Sequence, residues 1–310
     1  MSESRIRIDA EGQAVLTELA SGIDQTLDGF WAFNERTHWT EVHGSPRALE
    51  RAGMKRKFGP AVNWDDADIK YATTSAVVYL AACAQHLRGI RTLVRAFEVI
   101  FPVAPIARSV METCGRITWL FDPGLELRDR AARIYLSRID DLAQTKRLAM
   151  SLGHERETSR YGQNHHELRK IELIRRFYTS ELTYGDNHDL KAIRGQQLPR
   201  LRESVEALSQ ASHEHWNAGA LYDYLSAATH PTMRVVVEMI DPEAFKPAGG
   251  EDPPRELNFK LATLNYPRLL VRNVLLTFIQ TWGLLASYHG IAAPEADDLQ
   301  ERIHVLTDET

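Results

Sequence analysis

The sequence predicts an all-α protein, a single large bundle of about eight to ten helices. Three observations predict it. Apolar residues recur every three or four positions along most of the chain, the period of a helix face, with no strand-like alternation. Two segments, residues 106–121 and 266–288, are apolar on nearly every side and belong inside a body of other helices. The 310 residues are 44% hydrophobic, enough for one sizeable core.

Residues 13–34 place Val15, Leu16, Leu19, Ile23, Leu27, Phe30 and Trp31 on one helical face, with Phe33 and Trp39 crowding its end. Glycines and prolines make residues 41–66 a connector with one short helix near 47–54. The Lys55-Arg-Lys57 run within it is a solvated loop. A long Ala-rich helix follows at 66–97, with Arg88, Arg91 and Arg95 as a basic stripe and His86 nearby. Pro102 and Pro105 then break and restart the chain, Pro105 fitting the first turn of the next helix.

That next helix, Arg108-Ser-Val-Met-Glu-Thr-Cys-Gly-Arg-Ile-Thr-Trp-Leu-Phe121, organises the chain, and Asp122-Pro-Gly ends it with turn chemistry. Residues 126–152 form an amphipathic helix with Ala132, Tyr135, Leu136 and Ile139 inward, closed by Gly153. Residues 154–197 are the most polar of the chain. They are an excursion from the core, with a helical piece at 168–178 and a turn at Tyr184-Gly-Asp-Asn-His188. Short helices occupy 201–210 and 218–228. His230-Pro231 marks a break, because proline disfavours the helical state of the residue before it, and a further helix runs through Met239. A proline-rich loop at 241–258 precedes the apolar helix 266–288, and the tail after Gly290 is polar. No internal repeat and no glycine-rich phosphate loop occurs.

The net charge of −5 argues against a broad nucleic-acid-binding surface. The two cysteines, Cys83 and Cys114, lie in apolar helical surroundings and have no zinc spacing, so they are expected to be reduced core thiols. The N-terminal residues show no signal-peptide core, and Arg272, Asn273 and Gln280 make the apolar 269–288 segment a poor membrane span. The expected location is cytoplasmic.

Arg108, Glu112 and Arg116 recur at i, i+4 and i+8 on a helix otherwise sunk in apolar residues. Desolvating an unpaired ion costs several kcal/mol, so these charges either pair internally or face a wet cavity. In a cavity, the planar arginine fork suits a carboxylate or phosphate. His230 follows Tyr222, Tyr224 and Ser226. It either satisfies carbonyls freed at a helix break or serves as an acid or base in a cleft shared with Glu112. Arg160-Tyr-Gly-Gln-Asn-His165 places an arginine shortly before a histidine, although Gly162 and Asn164 weaken a helix there. Glu35-Arg-Thr-His38 and Glu301-Arg-Ile-His304 match the Glu-x-x-His pattern of di-iron bundles, with Glu98 and Glu112 as further ligands. The second copy, however, falls in the polar tail.

Four segments together resemble an uncharacterised all-helical bacterial family, often actinobacterial, with an Arg-Ser-x-x-Glu helix and a later Tyr-x-x-Ser-x-x-x-His element. They are His86-Leu-Arg-Gly-Ile, Ile106-Ala-Arg108-Ser-Val-Met-Glu112, Trp119-Leu-Phe-Asp122-Pro123 and Tyr224-Leu-Ser226-Ala-Ala-Thr-His230-Pro. The resemblance spans residues 75 to 240. Its general look is similar to HEPN-like helical bundles, which implies metal-independent RNA cleavage of the kind used in defence or toxin systems.

Three functions fit these residues. The first is a soluble helical binding or interaction protein, monomer or homodimer, whose central Arg/Glu/His cluster holds an anionic ligand. The second is a HEPN-like ribonuclease. The third is a di-metal helical-bundle oxidase. The first places Arg108, Glu112 and His230 at the centre, and the second places the same three, or Arg160 and His165, near the scissile phosphate, with Arg116, Tyr224, Ser226 and Arg88 as binding residues. The expected partners are a small anion or RNA and no membrane, and no metal or cofactor is assigned.

Overall fold

The structure, a computed structural model, describes residues 10–54, 66–96, 102–186, 189–211, 218–229 and 265–305. It is all-α, with eleven α-helices among the described residues. In chain order these are α1 (Ala10–Thr37), α2 (Pro46–Met54), α3 (Ala67–Arg95), α4 (Val103–Leu120), α5 (Leu127–Ser151) and α6 (Glu155–Glu167). Then come α7 (Leu173–Arg176), α8 (Leu201–Ala211), α9 (Ala218–Thr229), α10 (Asn265–His289) and α11 (Pro294–Val305). The expected break at His230-Pro231, the helix through Met239 and the 241–258 loop lie outside the described residues, as does the Lys55-Arg-Lys57 run.

The hub is α4, which touches α3, α5, α8, α9 and α10. Its sequence allows this because Val110, Met111, Cys114 and Ile117 form a broad apolar face spanning about 120° of the helix, and all four are buried. Gly115 admits one neighbour at backbone distance: a Cβ built there would lie 2.7 Å from the Ser204 carbonyl oxygen of α8. Cys83 on α3 and Cys114 are both fully buried and unbridged. Burial pushes the Cys114 thiol well up, and the neighbouring Cys83 adds to it.

The long apolar helix α10 runs through the interior against α1. Phe30 meets Phe278 and Trp282 edge-on at 5.1 and 5.7 Å, and Phe33 meets Trp282 at 5.3 Å. Such edge-to-face pairs each add about 1 kcal/mol beyond the area they bury. The segment Pro267–His289 is long and apolar enough to cross a membrane, yet 72% of its most apolar window is buried inside this protein. That is the burial of a core helix.

The last carbonyls of α4 have no partners within the helix. They accept from α5 instead: Arg130 donates to the carbonyls of Leu120 at 2.8 Å and Asp122 at 3.1 Å, and Arg133 to that of Trp119. Two cations at a helix C-terminus also oppose its negative dipole end.

Three expectations need correction. The segment after Gly290, expected to be a polar tail, folds back onto the core. Residues 294–305 form α11, whose Ala296, Leu299 and Ile303 are buried at helical spacing, with Leu299 packed against Gly29 of α1. Gly162 and Asn164 do not prevent a helix. They lie in α6, a surface helix with no buried residue that lies along α5 and continues through a π turn (Leu168–Glu172) into α7. The polar excursion also contains strand. Leu182–Tyr184 (β1) and Leu190–Ile193 (β2) pair antiparallel, with Leu182 opposite Ile193 and a bulge after Thr183. Arg194 anchors this hairpin to the helical body, donating to Asp129 of α5 and to Glu181, each at 2.7 Å.

Candidate functional site

Pro105 stands in the first turn of α4, and the Ser109 and Thr113 hydroxyls bond back to the carbonyls of Pro105 and Ser109 at 3.0 and 2.8 Å. The helix therefore presents Arg108 and Glu112 one turn apart. Arg108 Nε donates to Glu112 Oε1 at 2.8 Å. From α9 comes Tyr222, whose hydroxyl accepts from Arg108 Nη2 at 3.0 Å and donates to the same Glu112 oxygen at 3.0 Å. The guanidinium carbon also lies 5.0 Å from the centre of the Tyr222 ring, so charge faces the ring's negative quadrupole.

The Arg108 and Glu112 side chains are each 22% exposed, and Tyr222 is 8% exposed. Burial pulls the Arg108 pKa down, but the hydrogen bonds it donates to Glu112 and Tyr222 outweigh it and leave the net shift upward. Arg108 is therefore a fixed cation, suited to binding charge and not to moving protons. Among the described residues its Nη1 has no hydrogen-bond partner, nor has Glu112 Oε2, and neither atom is sealed from solvent. The cluster thus shows solvent one donor edge and one acceptor oxygen, side by side.

Arg116 leaves this group. Eight residues along an α-helix rotate a side chain by about 80° and raise it by about 12 Å, so a three-step ladder cannot stay on one site. Arg116 points toward α5 and reaches Asp140 at 3.3 Å. Arg88 is exposed on α3 with no ion pair among the described residues, while Arg91 and Arg95 of the same stripe grip Asp24 of α1, each at 2.6 Å. Ser226 is half-buried on α9. His230 and the side chain of Tyr224 lie outside the described residues.

On α6, Arg160 and His165 stand about 140° apart around the helix. Arg160 is exposed and donates to the adjacent Tyr161 hydroxyl at 2.9 Å, stacking on that ring. The His165 pKa is lowered by burial, then by Arg169, Lys146 and His166. Among the described residues no three His, Cys, Asp or Glu side chains gather as a metal set. Glu112 is engaged by Arg108 and Tyr222, and Glu98 is outside the described residues.

Two buried polar centres were not expected from the sequence. Asp68 of α3 accepts from Arg138 at 2.8 Å and from the Tyr135 hydroxyl at 3.3 Å, with Arg176 at 3.9 Å. Arg130, 3% exposed, pairs with Glu50 of α2 at 2.8 Å, and Tyr288 donates to the other Glu50 oxygen at 2.6 Å. The signal for both was an arginine on the inward stripe of α5, where an amphipathic pattern calls for an apolar residue.

Compared with known proteins, the chain matches no family model, no curated protein and no solved structure.

Proposed function

We propose that this chain is a helical binding protein whose Arg108–Glu112–Tyr222 cluster holds a small protonated oxyanion. One observation carries the reading: among the described residues Arg108 Nη1 and Glu112 Oε2 have no partner and keep contact with solvent, while the rest of both groups is locked. Glu112 neutralises the charge of Arg108, so net charge is a weak attractor here. The pairing of donor and acceptor is a stronger one. An acid oxyanion such as dihydrogen phosphate accepts from Nη1 and donates its own proton to Oε2, two charge-assisted bonds that a fully ionised anion cannot both make. Tyr222 holds the guanidinium plane in place, so little side-chain freedom is lost on binding.

Inorganic phosphate titrated into the full chain, with Arg108→Met and Glu112→Gln alongside, tests this. Binding that both substitutions reduce supports it. Phosphate that leaves the protein unchanged at millimolar concentration removes it. Metal-independent cleavage of RNA, abolished by Arg160→Ala or His165→Ala, would favour the ribonuclease that the resemblance implies.

A further inference from the structure

The cleft among α3, α4 and α5 is lined by Tyr71, Ser75, Tyr79, Arg116, Ser137 and Asp141 above a floor that includes Ala76 and Ile117. Its volume is about 430 Å³ counting the open mouth, and its enclosed part holds one or two waters. The polar groups do not balance. Arg116 lies 3.3 Å from Asp140 Oδ2 without an aligned hydrogen bond, and that oxygen is buried with no other partner. The Asp141 carboxylate has no Lys or Arg within ion-pairing distance among the described residues, and its one hydrogen bond among them is a long one, 3.3 Å from the Tyr71 hydroxyl. Arg138, which stacks on Tyr71 at 5.3 Å, is committed to Asp68 at 2.8 Å. Two carboxylates therefore share one local cation.

We propose that this cleft binds a small primary or secondary amine with an apolar tail, its ammonium pairing with Asp141 between the rings of Tyr71 and Tyr79. Each part of such a ligand meets its complement. An ammonium supplies the cation that Asp141 lacks, and aromatic faces attract it through their quadrupole. The alanine and isoleucine floor takes a short hydrocarbon chain, in the manner of apolar pockets with a few convergent polar groups. The titrating groups of the cleft feel burial first and the neighbouring carboxylates second. Burial and then Asp141 push the Tyr71 hydroxyl up to about 12, and the Tyr79 hydroxyl moves the same way for the same causes. Burial raises the Asp141 carboxyl, the Tyr71 bond opposes this, Asp140 raises it further, and the more distant Arg116 charge offsets only part of the rise. An ammonium in the cleft relieves all three.

This site is separate from the Arg108 cluster, so the two readings stand or fall independently; phosphate probes one and an amine the other. The experiment is calorimetry and saturation-transfer NMR on the full chain with n-butylammonium chloride. n-Butanol and sodium butyrate serve as neutral and anionic matches of shape. The expected result is binding of the amine at least about tenfold tighter than of the alcohol, with no butyrate binding. Asp141→Asn, which can still accept from Tyr71, is expected to weaken the amine about tenfold, and Ser137→Leu to block it. Equal binding of butanol, full affinity in Asp141→Asn, or no amine binding by the folded wild type would each overturn the proposal.

Discussion

The hydroxyl of Tyr222 and the guanidinium of Arg108 meet at 3.0 Å across 114 residues of chain, tying α9 to the central helix. Tyr222→Phe keeps the ring and the cation–π contact but removes the hydroxyl bridge to Arg108 and Glu112. The expected cost is about 1–2 kcal/mol, the usual range for a part-buried hydrogen-bonding group that also touches charges. A double-mutant cycle with Glu112→Gln in urea melts checks it. Additive losses would show that the triangle is not energetically coupled.

Arg130 makes a stronger prediction. Its side chain is almost fully buried and satisfies Glu50 and two carbonyls at the end of α4. Arg130→Ala leaves the Glu50 carboxylate without its cation and the Leu120 carbonyl without its donor, while the Asp122 carbonyl keeps the bond from the Leu125 amide, at a cost of about 3–5 kcal/mol. Arg130→Lys is expected to recover less than half, because an ammonium cannot reach three acceptors held in the geometry of a planar fork. Chemical denaturation of the three proteins decides the ranking.

Gly115→Ala tests the closeness of α4 and α8. The added methyl would press on the Ser204 backbone, which cannot rotate away as a flexible side chain would. Destabilisation of about 1–3 kcal/mol is expected despite the better helix propensity of alanine. A variant as stable as wild type would mean that α8 shifts freely.

His289 sets a pH dependence. It is buried, and its Nδ1 lies 2.9 Å from the Leu285 carbonyl. Burial lowers its pKa, the bond to Leu285 opposes this, and Arg47 lowers it further. The unfolded chain therefore takes up a proton at a pH where the fold still refuses it. Stability from this residue is complete above the ordinary histidine value of about 6.5 and falls as pH drops below it. Melting temperatures between about pH 7 and about pH 5 should decline less steeply in His289→Asn. His165, lowered in the same direction, is present in both proteins and cancels in the comparison.

Asp141 has the opposite sign. Its carboxyl pKa is raised, so the fold disfavours the ionised form and carries a penalty once pH exceeds the folded value. Asp141→Asn is expected to melt higher than wild type at neutral pH, and the advantage should vanish as pH falls through the carboxylate range. Identical melting curves at both pH values would show that Asp141 is not strained.

The sequence alone determined the helical fold and most of its elements, because periodicity, prolines and glycines act locally. The apolar circumference of 266–288 foretold a core helix, and it is α10. The four-residue spacing of Arg108 and Glu112 foretold their pairing. Where the tail was read only as polar, periodicity was under-weighted: Ala296, Leu299 and Ile303 already marked the buried face of α11, among charges that only mask it. Tertiary structure alone decided which distant groups meet. Tyr222 closes the Arg108 cluster, Arg116 turns away to Asp140, and Arg130 caps a helix it does not belong to. These contacts depend on how helices pack, and packing is set by the combined shape and volume of many side chains, which no single segment contains.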